Sequence, residues 1–554
     1  MAEIKKDLDE REDTSTEQMM EAMEDYEVAW DDVHGGEISV ADLRTARREE
    51  VDFMMGRHIW TEVPEGECWS KTGKAPVSVR WVDVNKGSQE SPEIRCRLVA
   101  RDFKGKRDKD REDLFAATPP LEAKRTLFSR AVTTRRKPGG CRKLLFVDAR
   151  KAHLNPKCTE EVFIQLPDEV GARKGVCGKL NYWLYGFRPA ASAWERHYSS
   201  LLEGVGFRRG LASPVIFHHP GRDMSCVVHG DDFTIEGEDG DLNWIQKELK
   251  SWFDIKVRGR LGPEPEDDKE ITILGRIVRW RSWGITYEAD PKHRRLIIEY
   301  FGLDEKSRKL TTNGSKERDD DDEDDEEVEL SPMEKTSFRA VAARLNFLAA
   351  DCPDVQFPAK EVCRNMSSPT LGAFRKLKKV ARYLLSREAV RFTFEWQQEG
   401  MQLTIYTDSD WAGCLKTRRS TSGGVVMLGR HCLKTWCLTQ TAVALSSAEA
   451  EYYAMVEGAT RGIGIKTMLE ELGVCVKIVL ATDSSAAKSL GSRRGTGRIR
   501  HLETRWLWLQ LEVAKGNIKL AMVAGDVNPA DVLTKYKGSK EISKLLDRMN
   551  IAVM

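Results

Sequence analysis

The chain has 554 residues, enough for three or four domains of ordinary size, each with apolar material for its own core. Lys plus Arg and Asp plus Glu each total 88, so any affinity for nucleic acid must come from local basic patches rather than a global positive field. No apolar run approaches the ~18 residues of a membrane span, and the opening MAEIKKDLDEREDTSTEQ lacks the apolar stretch of a secretory signal. The expectation is therefore an intracellular protein, cytoplasmic or nuclear, neither secreted nor membrane-bound. Twelve scattered cysteines without a C-x-x-C pair argue against a structural zinc site and for reduced, mostly buried thiols.

In chain order, residues 1–55 are acidic and short of periodic apolar positions, and are expected to form a flexible or loosely helical leader. A folded region follows from 56 to 303. Within it, Arg142 to Val147 alternates as a strand that delivers Asp148 at its end. Farther on, Cys226-Val227-Val228-His229 leads through Gly230-Asp231-Asp232 into Phe233-Thr234-Ile235, a β-hairpin with adjacent aspartates at its turn. G-D-D by itself is an ordinary turn. An acid from a strand end joined by one from a hairpin turn also meets the demand of nucleotidyl transfer for carboxylates holding two Mg²⁺ ions. Residues 304–332 form an acidic linker around ERDDDDEDDEEVE, which cannot bury itself. Residues 333–397 read as a helical connection, with apolar positions at three-to-four spacing in FRAVAARLNFLAA and FRKLKKVARYLL.

The last domain spans 398–540, before a short tail at 541–554. Leu403 to Asp408 is a strand with an acid at its end; GGVVMLG and HCLKTWC are two more short strands. Ser446-Ser447-Ala448-Glu449 reads as a capping box that opens a long helix ending before Gly473, with Glu451 in its first turns. A further strand ends at Asp483, and Asn528-Pro529 caps a helix carrying Asp531. Each acid has an ordinary reading: Glu449 as a capping residue, Asp531 favoured by a helix dipole, Asp408 and Asp483 as turn residues. Four carboxylates converging without compensation would be prohibitive, so a pair of divalent cations is the natural solution, and such a pair suits phosphodiester hydrolysis.

YTDSDWAG, RRSTSGGVVMLG, ALSSAEAEYYAM, ATDSSAA, RIRHLETR and NPADVLTK resemble the ribonuclease H domain of Ty1/copia-type retrotransposon Pol polyproteins. VRWVDV, EIRCRLVARDF, LFVDARKAHLN, GKLNYWLYGFRPAASAW, VVHGDDF and ILGRIV resemble successive blocks of the same family's reverse transcriptase, and the resemblance runs from about 60 to 540. It implies catalytic roles for Asp408, Glu451, Asp483 and Asp531. Glu451 is preferred to Glu449 because Ala450 to Ala454 matches the family's A-E-[YL]-x-A pattern. It also implies metal binding by Asp148 and Asp231, with Asp232 as third member. Three positions depart from the family: His229 stands where a tyrosine is usual, His153 where a phenylalanine contacts the nucleotide sugar, and Pro189 where a glutamine touches the incoming nucleotide. Arg95, Arg97 and Arg101 are candidates for gripping triphosphate or template, and Arg498, Arg500 and His501 for the nucleic-acid backbone near the nuclease.

The fold expected is α+β: a right-hand polymerase of palm, fingers and thumb, a helical connection and an α/β ribonuclease H-like domain. The function expected is RNA-directed DNA synthesis coupled to hydrolysis of RNA in RNA–DNA hybrids. Two Mg²⁺ per site, or Mn²⁺ in their place, would serve as cofactor. RNA template, DNA primer, hybrid and deoxynucleoside triphosphates would be the partners. The rivals are a ribonuclease H with an inactive polymerase body, and a non-enzymatic nucleic-acid-binding remnant. With no D-[ST]-G protease signature, zinc knuckle or His/Cys integrase finger in the sequence, the chain is expected to be the C-terminal portion of a longer polyprotein.

Overall fold

The computed structural model describes residues 28–33, 35–88, 90–103, 114–134, 142–314, 328–398, 402–497 and 501–554. Most of the acidic run at 317–329 and the arginines Arg498 and Arg500 lie outside the described residues. The chain is α+β and divides into two compact units, residues 1–117 with 150–201, and residues 118–149 with 202–554.

In the first unit, Val79–Asn85 pairs antiparallel with Ile94–Ala100, and Val176–Leu180 lies between Trp60–Pro64 and Phe163–Ile164 in a three-stranded sheet. Met54, Ile59, Leu98, Leu154, Ile164 and Leu184 make its core. The leader expected to be flexible is folded over its last part: Val40–Gly56 is a 17-residue helix. Leu43, Val51 and Met54 recur on one face and are buried, and Glu50 pairs with Lys151 at 2.6 Å. The charge density of the segment masked a three-residue apolar stripe, which is all that one packed face requires.

The second unit begins with helix α1 (Leu121–Ala131) and strand β1 (Arg142–Ala149). After β2 (Arg208–Arg209), β3 (Ile216–His219), β4 (Met224–His229), β5 (Asp232–Glu238), α2 (Asp239–Trp252) and β6 (Ile255–Leu261), the palm sheet has the order β2-β3-β4-β5-β1-β6, antiparallel throughout. Sequence-distant β5 and β1 become neighbours, with Asp232 opposite Asp148.

A second sheet joins β7 (Glu270–Ile273), β8 (Arg276–Arg281), β9 (Gly284–Glu288) and β10 (Val390–Glu395). Helices α3 (Pro332–Ala349), α4 (Gln356–Cys363) and α5 (Leu371–Leu385) supply the expected connection, and Ser331 with Glu334 closes a full capping box at the start of α3.

The third sheet contains β11 (Leu403–Asp410), β12 (Thr421–Leu428) and β13 (His431–Thr439), then β14 (Ile478–Thr482) and β15 (Ile518–Met522), ordered β13-β12-β11-β14-β15. The first three are antiparallel and the last two join β11 in parallel. Helix α6 (Ser447–Glu471) crosses this sheet.

The segment expected as a tail is also folded. Helix α7 (Ser539–Asp547) leads into β16 (Ile551–Val553), which pairs with β10 at the edge of the second sheet. Nor do the boundaries drawn at 303, 332 and 397 coincide with breaks in packing. One continuous apolar core includes Phe146 and Val227 of the palm, Phe338 and Leu377 of the connection, and Ile405 and Tyr452 of the last sheet and its helix. No described helix is long and apolar enough to cross a membrane.

Candidate active sites

The C-terminal cluster is set by how closely α6 lies on β11. A Cβ at Gly458 would sit 2.5 Å from Thr407 Cγ2, so this helix position must be glycine. Two turns earlier on the same helix face, Glu451 is thereby held over Asp408 at the end of β11. Asp483 follows β14, the parallel neighbour of β11. One carboxylate oxygen from each of Asp408, Glu451 and Asp483 lies within 4.8 Å of the others, and among the described residues this is the one group of three metal-ligating side chains so arranged.

Asp408 is 5% exposed and Glu451 8%. Burial, then the charges of Asp531 and Asp483, push Asp408 up to about 7. Burial, then Asp408 and Asp483, push Glu451 up to about 8. Glu451 Oε1 accepts from the backbone N–H of Ser409 at 2.9 Å and from its hydroxyl at 2.8 Å. Glu451 Oε2 is buried with no hydrogen-bond partner. An unpaired buried acceptor beside two further carboxylates is the donor set that a hard divalent cation satisfies, so the residues fit such an ion.

Asp531 approaches this cluster without joining the group of three. Its segment, Pro529–Leu533, is a 3₁₀ turn capped by Asn528, not the α-helix read from the sequence. Asp408 faces Gly423 across β11 and β12, and a Cβ there would lie 2.7 Å from Thr534 Cγ2, so the missing side chain is what admits the turn. The Thr534 hydroxyl donates to Asp408. The Asp531 carboxylate is taken by two lysines, Lys535 at 2.5 Å and Lys537 at 2.6 Å. Lys535 ends the NPADVLTK motif and Lys537 lies two residues beyond it, so both are visible in the sequence beside Asp531.

Glu449 and Glu451 separate cleanly. The expected capping box is only half formed: Ser446 accepts from the Glu449 N–H, but the Glu449 carboxylate takes the N–H of Leu445, one residue upstream. Tyr453 and His501 also donate to it, at 2.5 and 3.0 Å. Burial opposes ionisation of Glu449, but these hydrogen bonds outweigh it and hold the group below its ordinary value. His501 is thus placed on Glu449.

In the palm, β4 turns into β5 through Gly230 and Asp231, with Gly230 at φ +63° in the first loop position, as a type II′ turn requires. The N–H of Ala149 donates to the Asp231 carbonyl at 2.9 Å, pinning the turn against the end of β1. Asp148 is half-buried, Asp231 exposed and Asp232 5% exposed. Burial raises Asp232, Asp231 and Asp148 add to the rise, and Arg258 and Lys124 oppose it. Asp232 Oδ1 is buried without a hydrogen-bond partner.

Arg258, which sequence reasoning missed, reaches both acids: its Nη2 is 2.7 Å from Asp148 Oδ1 and 3.4 Å from Asp232 Oδ1. A cation bridging the pair shows that the acids accept positive charge between them, so they too fit a divalent ion. His229 is half-buried beside Asp231. Burial, then Lys124 and Arg276, lower it.

The remaining candidates lie in the first unit. Arg95 is exposed and paired with Glu93, Arg97 stacks 5.7 Å from the Tyr185 ring, and Arg101 is exposed just after its strand. His153 also packs on Tyr185, with ring centroids 5.3 Å apart, and Pro189 is the first residue of helix Pro189–Gly204.

Residues 69–263 match the family described as reverse transcriptase (RNA-dependent DNA polymerase). The Pol polyprotein of transposon TNT 1-94 from Nicotiana tabacum is 25% identical over 508 residues, covering 89% of this chain and 36% of that protein. The chain spans about a third of the length of such curated relatives. Among solved structures, a foamy viral protease-reverse transcriptase in complex with RNA/DNA hybrid aligns over 87% of this chain and 54% of its own, at 10% identity and a TM-score of 0.48. A ribonuclease H1 isolated from compost aligns over 24% of this chain and 92% of its own, at 16% identity and a TM-score of 0.19. Over most of its length the chain is homologous to plant Pol polyproteins of copia-type transposons, and the reverse transcriptase match covers the segment that carries Asp148 and Asp231.

Proposed function

We propose that the chain is an RNA-directed DNA polymerase with ribonuclease H activity, acting on an RNA template, a DNA primer and deoxynucleoside triphosphates and then on the resulting hybrid. The observation that carries the reading is that two acid clusters, one at the tip of the palm hairpin and one across β11, α6 and β14, each leave a buried carboxylate oxygen without a hydrogen-bond partner. When bound at either cluster, a pair of divalent cations, Mg²⁺ or Mn²⁺, supplies Lewis-acid stabilisation and a lowered pKa for the attacking hydroxyl or water.

The chain's own residues do the rest. In the C-terminal cluster, Asp408, Glu451 and Asp483 supply the ligand oxygens, Ser409 orients Glu451, and Thr534 orients Asp408. Lys535 and Lys537 balance Asp531 at the rim. In the palm, Asp148 and Asp232 face each other across two hydrogen-bonded strands, and Asp231 projects from the turn toward solvent, where primer and nucleotide arrive.

One observation favours a narrower second reading, a ribonuclease H with a silent polymerase body. The C-terminal acids form a closed group of three, whereas the palm acids are spanned by Arg258 and flanked by His229 in place of the family's tyrosine. A homopolymer RNA template with a DNA primer and labelled nucleotide separates the two. Incorporation that Asp148→Asn or Asp231→Asn abolishes, with hybrid cleavage intact, is the expected result. Cleavage without incorporation would select the narrower reading, and incorporation surviving either substitution would overturn the palm assignment.

A further inference from the structure

The strand β6 is not regular where it passes Asp148. It pairs Lys256 with Asp148 and Val257 with Val147, and then Gly259 with Phe146, so Arg258 is an extra residue in a β-bulge with no partner opposite. Bulges bend a strand and re-aim a side chain, and they recur beside active sites for that reason. The distortion is built in. A Cβ at Gly259 would lie 2.5 Å from Asp268 Oδ2, and the same oxygen accepts the N–H of Arg260 at 2.8 Å, fixing the chain just after the bulge.

What the bulge delivers is the guanidinium on Asp148 and Asp232 described above, with a side chain still 39% exposed. Lys124 and Arg276, the cations behind the acids, are placed differently. Lys124 Nζ is buried without a hydrogen-bond partner, and burial, abetted by Arg276 and Arg258, pushes it down to about 8. Arg276 is committed to Asp351 at 2.8 Å. Arg258 thus reaches both Asp148 and Asp232 and keeps a path to solvent.

Resting on the polymerase reading, we propose that Arg258 is a resident counter-ion of the palm site. It holds Asp148 and Asp232 together until a divalent cation takes its place, and then turns its freed guanidinium to the triphosphate of the incoming nucleotide. Two facing carboxylates repel unless a positive charge lies between them, and the arginine supplies one that metal can displace because the Arg258–Asp148 ion pair is only half-buried. A guanidinium released at that point keeps the planar donor fork that matches phosphate oxygens, and the nucleotide brings the acceptor to it.

The experiment is Mn²⁺ binding to the full chain by electron paramagnetic resonance, the palm component being defined as what Asp148→Asn removes. Arg258→Ala is expected to bind that component about five- to tenfold more tightly than wild type, and Arg258→Lys to fall between them. In thermal melts, Arg258→Ala is expected to melt lower without metal and to gain more from Mn²⁺. In steady-state incorporation, it is expected to raise the KM for nucleotide more than it lowers kcat. Palm affinity equal to or weaker than wild type would overturn the counter-ion, leaving the polymerase reading in place. An unchanged nucleotide KM would overturn the triphosphate role. A palm component present in Arg258→Ala but absent from wild type would support the counter-ion and contradict an active polymerase. Its absence from both would sink the two together.

Discussion

Glu449 and Glu451 lie two positions apart on one helix and are treated oppositely by their surroundings. Glu449 is saturated by Leu445, Tyr453 and His501, whereas Glu451 has one oxygen held by Ser409 and the other left bare. Glu449→Gln is therefore expected to cost about 1–3 kcal/mol in urea denaturation and to leave hybrid cleavage within about tenfold of wild type. Glu451→Gln should lower cleavage by at least about a hundredfold. The pH dependence follows from the raised values of Asp408 and Glu451. Between the ordinary carboxylate range and about 8, the folded chain retains protons that the unfolded chain has released, so these groups stabilise at low pH and that contribution is lost as pH rises through the folded values. In EDTA, the melting temperature of Glu451→Gln relative to wild type should climb from pH 5 to pH 8. Added Mg²⁺ should reverse it, because only the wild type has the ligand. A difference flat with pH would contradict the assignment of buried, mutually repelling carboxylates. Spacing alone puts both glutamates in the first turns; the family pattern and the capping role of Glu449 are what favour Glu451 in the sequence.

At the scale of elements, helix α1 shows what periodicity cannot convey. Six of the eleven residues of LEAKRTLFSRA are charged or hydroxyl-bearing, yet every residue but the first is buried. Three of its charges, those of Glu122, Arg125 and Arg130, are met by partners far along the chain. Arg125 reaches Asp351 at 2.9 Å, and Arg130 reaches Glu236 at 3.1 Å and donates to the Leu472 carbonyl; Glu122 meets Lys434. Asp351 also accepts from Arg276 and the Tyr287 hydroxyl. Asp351→Ala would leave two guanidinium groups, one of them fully buried, without their carboxylate. A loss of roughly 3–5 kcal/mol is expected in chemical denaturation, against at most about 1 kcal/mol for an exposed pair such as Arg95–Glu93. Strand ends and turns were far more legible, because acids at the ends of alternating runs mark themselves locally. Asp148, the Gly230–Asp231 turn, Asp408 and Asp483 all fall where the pattern put them. The bulge at Arg258 left no such mark, since a bulge is a property of the pairing between two strands and not of either sequence.

For the whole molecule, the order of elements was readable and the packing was not. Palm, connection and last sheet follow one another as the motifs indicate, but one apolar core runs through all three, and the C-terminal residues return to close the second sheet as β16. Domain boundaries drawn from composition failed to anticipate this, because a solvated acidic insertion says nothing about whether the elements on either side of it pack together. The proposed chemistry requires that two separate sets of carboxylates each hold divalent cations. Anomalous diffraction at the manganese edge from crystals of the full chain grown with Mn²⁺ and nucleic acid tests it most directly. The expected result is density at Asp148 with the Asp231–Asp232 turn, and at Asp408, Glu451 and Asp483; peaks at neither cluster, or only at other residues, would contradict it.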